Sequence, residues 1–270
     1  GAFLVSQPLG EESQLPIMLL SEGLPPLKPR AGGAGLEADL LRKEVREYIG
    51  LWVNAFRDRV LPSAAGTTGH SHLLEMYQNE QVAVISTGPN LLMRIKDVAP
   101  RVYAQTTVRH GVVGALGRAH MPIMVLSVLK QSRHPAEAAA LAWFMTGPEA
   151  QLEFCKRVAI MPSATEATRD SFFTSSEGIA SDRGDALQES ARRVAAGSLA
   201  EAVGFTAALE TWPDLRRSLE DTMKRVLLDG VALEPALEAL QAEWNRILDA
   251  AAPASMRAVP TPGPVARTRV

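Results

Sequence analysis

The sequence predicts a helix-rich α/β protein. Two short apolar runs, Val82-Ala-Val-Ile-Ser86 and Ile123-Met-Val-Leu-Ser-Val128, have the length and β-branching of strands, while six or more other stretches repeat their apolar residues at helical spacing. The first run breaks at Thr87-Gly88-Pro89-Asn90, and helices opened by prolines follow the second. A sheet of two strands cannot cover both of its own faces, so this balance predicts further strands upstream.

Residues 1–35 contain Pro8, Pro16, Pro25, Pro26, Pro29, Gly32, Gly33 and Gly35, which leaves room for little beyond a short Ile17–Leu20 segment. From Leu36, apolar residues recur at Leu40, Leu41, Val45, Tyr48, Ile49, Trp52, Val53, Phe56 and Val60, the pattern of an amphipathic helix that Pro62 ends. A Gly/Ser/Thr loop then leads to a helical patch, Leu73–Tyr77, and to the first strand. Leu91, Leu92 and Ile95 predict a helix that begins after the Gly-Pro turn and ends before Pro100. A strand, a tight turn and a helix start form a common ligand-facing corner, because the first amides of the helix point outward there.

Residues 105–121 are Gly-spaced and read as irregular, and Ile123–Val128 reads as a buried strand. Pro135 and Pro148 each stand at the first position of a helix, after His134 and after Thr146-Gly147, and Ser163-Ala-Thr-Glu166 has capping-box spacing. Leu215, Leu219, Met223, Val226 and Leu227 line one stripe, Gly230 stops it, and Leu233, Leu237, Leu240, Trp244, Ile247 and Leu248 line the next. Two antiparallel helices follow from this, with a disordered tail predicted at 252–270.

Composition narrows the function. With 270 residues, 46% of them hydrophobic, the chain can bury a sizeable core, and 28 basic against 30 acidic residues give no field suited to a polyanion, so no nucleic-acid partner is expected. The lone Cys155 forms no internal disulfide or thiolate cluster. No run approaches the roughly 20 apolar residues that cross a bilayer. Gly1-Ala-Phe-Leu-Val-Ser6 has no basic start, extended apolar core or cleavage site of a secretory signal, and we read the sequence as beginning inside a longer gene product.

The chemistry-bearing patterns are sparse. His70 and His72 with Glu75 give too few ligands for a metal site, so no metal or cofactor is expected. Gly32-Gly33-Ala34-Gly35 lacks the Lys-Ser/Thr of a phosphate loop, Gly111, Gly114 and Gly117 have the wrong spacing for a dinucleotide, and Gly69-His-Ser-His-Leu73 ends in Leu where a nucleophile elbow needs Gly. Glu11, Glu12, Glu22 and Asp97 are carboxylates that nothing in the sequence pairs for glycoside hydrolysis. No enzyme is predicted.

The order of small motifs resembles the sugar-binding family (family 1) of extracellular solute-binding proteins that feed ABC importers. It runs through Gly69-His70, Tyr77, Val82-Ala83-Val84-Ile85, Gly88-Pro89, Asn90-Leu-Leu92 and Ala99-Pro-Arg-Val-Tyr103, then Lys130-Gln-Ser132, His134-Pro-Ala-Glu-Ala138, Thr146, Gln151-Leu-Glu-Phe154, Met161-Pro-Ser163 and Trp244-Asn245. Two departures accompany it: Glu80 stands where the family usually has Gly, and Asn90 stands where many sugar binders place a stacking aromatic.

The resemblance implies a periplasmic-binding-protein-like fold (type II) with two lobes and a ligand cleft, here N-terminally truncated. Residues 1–118 would form the first part of lobe two, 119–160 a returning segment of lobe one, and 161–251 the C-terminal helices of lobe two. It implies a sugar ligand, an ABC permease as partner, a monomeric state, and a periplasmic or extracellular location in which the membrane is met only through the permease or a lipid anchor. Gly88, Pro89, Asn90, His120, Met121 and Trp212 are the ligand-contact candidates it implies. Each has a plainer reading: Asn90 as a helix cap, His120 and Met121 as loop filler, and Trp212 as packing beneath a helix start. Trp52, Trp143 and Trp244 lie on apolar stripes and read as core. Two other readings stay open: a helical interaction module that uses the 36–60 and 214–248 stripes as partner faces, and a solute-binding-protein fragment that binds nothing.

Overall fold

Helices carry most of the regular structure, as the apolar spacing predicts. The computed structural model describes residues 3–5, 7–31, 35–111, 113–121, 123–174, 186–204 and 209–251. In chain order the elements are β1 (Phe3–Val5), α1 (Leu15–Ser21), β2 (Leu27–Pro29), β3 (Leu36–Ala38), α2 (Lys43–Arg57), α3 (His70–Gln78), β4 (Val82–Val84), α4 (Leu91–Val98) and α5 (Pro100–Gln105). They continue with β5 (Ala119–His120), α6 (Pro135–Thr146), α7 (Pro148–Arg157), α8 (Thr165–Thr168), α9 (Ser171–Thr174), α10 (Ala186–Ser198), β6 (Ala202–Val203), α11 (Trp212–Leu228) and α12 (Leu233–Ala250). The strands pair two by two: β1 with β4 in parallel, β2 with β3 antiparallel, and β5 with β6 in parallel. The chain divides into two compact units, one of Gly1–Val5 with His72–Gly204, the other of Ser6–Ser71 with Phe205–Val270.

The second unit is built on α2, α11 and α12. Val45, Ile49 and Val53, then Leu215, Leu219, Met223 and Val226, then Leu237, Leu240, Trp244 and Leu248 recur every three or four residues and are all buried. The Trp244 indole N–H donates to the Leu215 carbonyl and the Ser218 hydroxyl, both at 3.0 Å, so its one polar group is satisfied inside the core. Gly230, with φ +72°, turns the chain between α11 and α12. Much of the apolar stripes at 36–60 and 214–248 is thus buried in this core, while Leu41, Tyr48, Trp52 and Phe56 are half-buried and Val60 is exposed.

The long helix expected from Leu36 starts later. Asn245 Oδ1 accepts the Ala38 N–H at 2.8 Å, and Gln241 Oε1 accepts the Leu40 and Leu41 N–H groups at 2.9 and 3.1 Å, so α12 side chains hold this backbone extended. β3 occupies Leu36–Ala38, and α2 closes at Arg57, before Pro62.

In the first unit, Leu74 of α3, Leu92 and Ile95 of α4, and Ala191 of α10 form a buried cluster, with Tyr77, Ile85, Val102 and Tyr103 packed against it. Pro135 and Pro148 open α6 and α7 as predicted. The capping box at Ser163 does not form: α8 starts at Thr165 with no side-chain cap. Gln151 holds that stretch instead, accepting the Ser163 and Ala164 N–H groups at 2.8 Å and donating to Ser163 Oγ at 2.9 Å.

Two expectations of burial fail in this unit. Ile123–Val128 is assigned to no strand and makes no backbone hydrogen bond among the described residues, and every residue of the run is exposed. Trp143 is 80% exposed, because α6 buries none of its residues, whereas Trp244 is core and Trp52 is half-buried. Apolarity alone predicts burial; here no neighbouring element among the described residues supplies it. The predicted tail at 252–270 lies outside the described residues, as does Gly32-Gly33-Ala34.

Candidate functional site

The turn after β4 is the most complete of the candidate positions. Leu92 and Ile95 anchor α4 to the buried cluster, which fixes the place where the chain leaves β4 and enters the helix. The Gly88 carbonyl accepts the Leu91 N–H and the Pro89 carbonyl accepts the Leu92 N–H, each at 3.2 Å, closing the first turn. A Cβ at Gly88 would come within 2.6 Å of Asn90 Oδ1, so glycine leaves space for the carboxamide to fold back over it. Asn90 occupies the N-cap position but has helical backbone angles and no side-chain cap bond. Its plainer reading as a cap is not what the structure shows. Asn90 and Gly88 are exposed and Pro89 is half-buried, so an amide donor and acceptor stand free beside the turn.

His120 and Met121 lie together on a second element. His120 pairs with Val203 across β5 and β6, and the Met121 N–H extends the pairing by donating to the Val203 carbonyl at 3.0 Å. Both side chains are half-buried. Burial lowers the His120 pKa from its ordinary 6.5, which keeps the imidazole neutral at pH 7, with one nitrogen as donor and the other as acceptor.

Trp212 belongs to the other unit. It is the first residue of α11, is followed by Pro213, and is half-buried, and its own N–H donates to the Leu209 carbonyl at 3.0 Å. The six candidates thus fall in three places: a turn, a strand and a helix start.

Several side chains without a clear sequence signal prove to be structural. Glu12, with φ 48°, accepts the His70 N–H at 2.9 Å, and its carboxylate sits against Gly69, where a Cβ would be 2.0 Å from Oε2. Glu11 pairs with Lys224 at 3.7 Å, and His72 with Glu75 at 3.4 Å. Among the described residues no group of three or more His, Cys, Asp or Glu side chains is placed to hold a metal. A groove of about 400 Å³ between α2 and the start of α12 contains none of the candidates, and its charges are engaged: Arg46 with Glu234 at 2.7 Å, Lys43 with Glu47 at 3.8 Å, and Arg57 with the Val226 and Val231 carbonyls at 3.3 Å. The Tyr77 hydroxyl lies 2.9 Å from Thr106 Oγ1, and Lys96 stands 5.7 Å over the Tyr103 ring, and both rings pack against the buried cluster that anchors α4.

No protein-family model and no curated protein sequence matches the chain. Solved structures do. A protein assigned as an oligosaccharide periplasmic-binding protein of Synechococcus sp. MITs9220 superposes with a TM-score of 0.81 at 25% identity, over 93% of this chain and 62% of its own. An ABC-transporter solute-binding protein of Thermotoga lettingae bound to α-D-tagatose gives 0.64 at 18%, over 92% of this chain and 59% of its own. Maltose-bound MalE3 of T. maritima gives 0.66 at 16%, over 92% and 61%. The fold is that of the periplasmic solute-binding proteins, and the chain spans about three-fifths of the length of these relatives.

Proposed function

We propose that this chain, built on the solute-binding fold, belongs to a protein that captures a sugar or related polar solute and passes it to an ABC permease, with no chemistry done on the ligand. The match to the Synechococcus protein, at a TM-score of 0.81 over 93% of the chain, carries this reading, and the sugar complexes among the matched structures support it. No helix among the described residues is long and apolar enough to cross a membrane, which suits a protein that meets the bilayer through a permease or a lipid anchor, in the periplasm or outside the cell. The lobe assignment goes with it: 1–118 and 161–251 to lobe two, 119–160 to lobe one.

The contacts follow from the side chains. The Asn90 carboxamide offers hydroxyl groups both a donor and an acceptor, the Trp212 ring offers an apolar face to a pyranose, and His120 with Met121, together with Gly88 and Pro89, are the remaining contact candidates. Because the chain spans 62% of the Synechococcus protein's length, it supplies a share of the contacts and binds sugar by itself weakly or not at all. The reading is tested by joining this chain to the part of the Synechococcus protein that it does not span and titrating that chimera with maltose and tagatose. Asn90→Ala and Trp212→Ala are each expected to weaken binding about tenfold or more, the loss of one directed polar or stacking contact. Variants that bind as the parent does would remove these residues from the site.

A further inference from the structure

Arg192 of α10, in the first unit, has an aromatic platform and no acceptor. Its Cζ stands 3.7 Å over the centre of the Phe172 ring, so the ring covers one side of the guanidinium. The platform is itself held in place. Asp170 Oδ1 accepts the Phe172 N–H at 2.8 Å, and the fully buried Phe173 meets the Phe172 ring edge-on, with centroids 5.1 Å apart and planes at 86°.

The donors of this guanidinium find nothing to bond to among the described residues. Nε is sealed from solvent without a hydrogen-bond partner, while the Nη nitrogens at the tip are not sealed. Glu189, three residues earlier on α10, attracts Arg192 through space and Arg193 repels it, but Glu189 forms no ion pair with it. Burial pulls the pKa of Arg192 below its ordinary value, yet an arginine stays protonated in a protein, so the side chain is a half-buried cation. Arg42 and Arg46 also have a sealed Nε, but each has a carboxylate beside it: Asp39 at 3.6 Å and Glu234 at 2.7 Å. Arg192 has the burial without the partner, which costs folding free energy that a bound anion would return.

We propose that Arg192, held over Phe172, is a binding site for the carboxylate of a small solute. Its open tip presents two N–H groups in one plane, which match the two oxygens of a planar carboxylate. Charge favours the same class. One guanidinium balances one carboxylate, whereas a phosphate brings more than one negative charge close to Glu189. Arg193 does not help to balance it, because successive residues of a helix do not face the same side. The inference concerns a position apart from the sugar-contact candidates and does not depend on sugar capture.

The test labels the purified chain with phenylglyoxal, which reacts with open guanidinium groups, and locates the labelled arginines by tandem mass spectrometry. Acetate, D-glucuronate, D-glucose and inorganic phosphate are added in turn; glucuronate and glucose share a ring and differ in the carboxylate. At about ten times its dissociation constant each carboxylate is expected to slow labelling of Arg192 about tenfold. Glucose should leave the rate unchanged, phosphate should slow it less, and the exposed Arg193 should react at one rate throughout. Phe172→Leu keeps an apolar side chain but removes the ring, and in a chain that still melts cooperatively it is expected to cut the protection to less than about twofold. No protection by either carboxylate, protection by glucose or phosphate equal to that by glucuronate, equal protection of Arg193, or full protection in Phe172→Leu would each overturn the proposal.

Discussion

At Asn90 the sequence invites a helix cap, and the structure withholds it. An Asn that caps a helix costs about 1 kcal/mol when replaced by Ala. Here α4 takes no side-chain bond from Asn90, so Asn90→Ala is expected to change unfolding free energy by less than about 0.5 kcal/mol in a urea melt, the range of ordinary surface substitutions. A loss of the full capping value would restore the structural role. Trp244 is the opposite case. It is fully buried and its indole N–H serves Leu215 and Ser218, so Trp244→Phe keeps the ring and removes both bonds while the Ser218 hydroxyl still donates to the Leu215 carbonyl at 2.9 Å, at a cost of about 1 kcal/mol. His120 adds a pH dependence. Burial lowers its folded pKa below the ordinary 6.5, so in acid the unfolded chain takes up a proton that the folded chain refuses. Its contribution is complete above about pH 6.5, falls as pH drops below that value, and levels off below the folded pKa. Melts of the parent and of His120→Gln between neutral and mildly acidic pH should therefore diverge, with the parent losing more stability on acidification; parallel curves would show that His120 does not contribute.

At the scale of elements, legibility followed the range of the interaction that fixes each one. Pro135, Pro148 and Gly230 act within a turn of their own position, and each marks a helix boundary where the sequence places it. The start of α2 and the strand β3 depend on Gln241 and Asn245, about two hundred residues away, and nothing local announces them. Ser163 has the right spacing for a capping box, but Gln151 reaches its backbone first. Ile123–Val128 reads as a buried strand, yet the structure assigns no strand there and leaves the run exposed, because composition records that a segment prefers burial without recording whether its cover is present. Two glycines separate local need from mere presence. Gly230 has φ +72°, so Gly230→Ala is expected to destabilise by about 1 kcal/mol. Gly50 sits inside α2, where a Cβ would meet Leu233 at an ordinary 3.7 Å, so Gly50→Ala is expected to stabilise by about 0.5–1 kcal/mol. Thermal melts of the two variants should shift in opposite directions.

For the whole molecule, near-neutral charge and the scarcity of paired carboxylates or ligand clusters argued for binding over catalysis, and the solute-binding fold agrees with that argument. The order of short motifs from Gly69-His70 to Trp244-Asn245 made the fold legible although no single motif identifies it, and the fold match at 25% identity agrees with that reading. The placement of the candidates was less legible. Gly88, Pro89 and Asn90 share one turn and His120 and Met121 one strand, while Trp212 opens a helix of the other compact unit. The measurement that tests the account most directly is a side-by-side calorimetric titration with maltose and tagatose of the chain alone and of the chain joined to the part of the Synechococcus protein that it does not span. The account predicts micromolar binding and a raised melting temperature for the joined protein, with weak or no binding by the chain alone. Micromolar binding by the chain alone, or none by the joined protein, would contradict it.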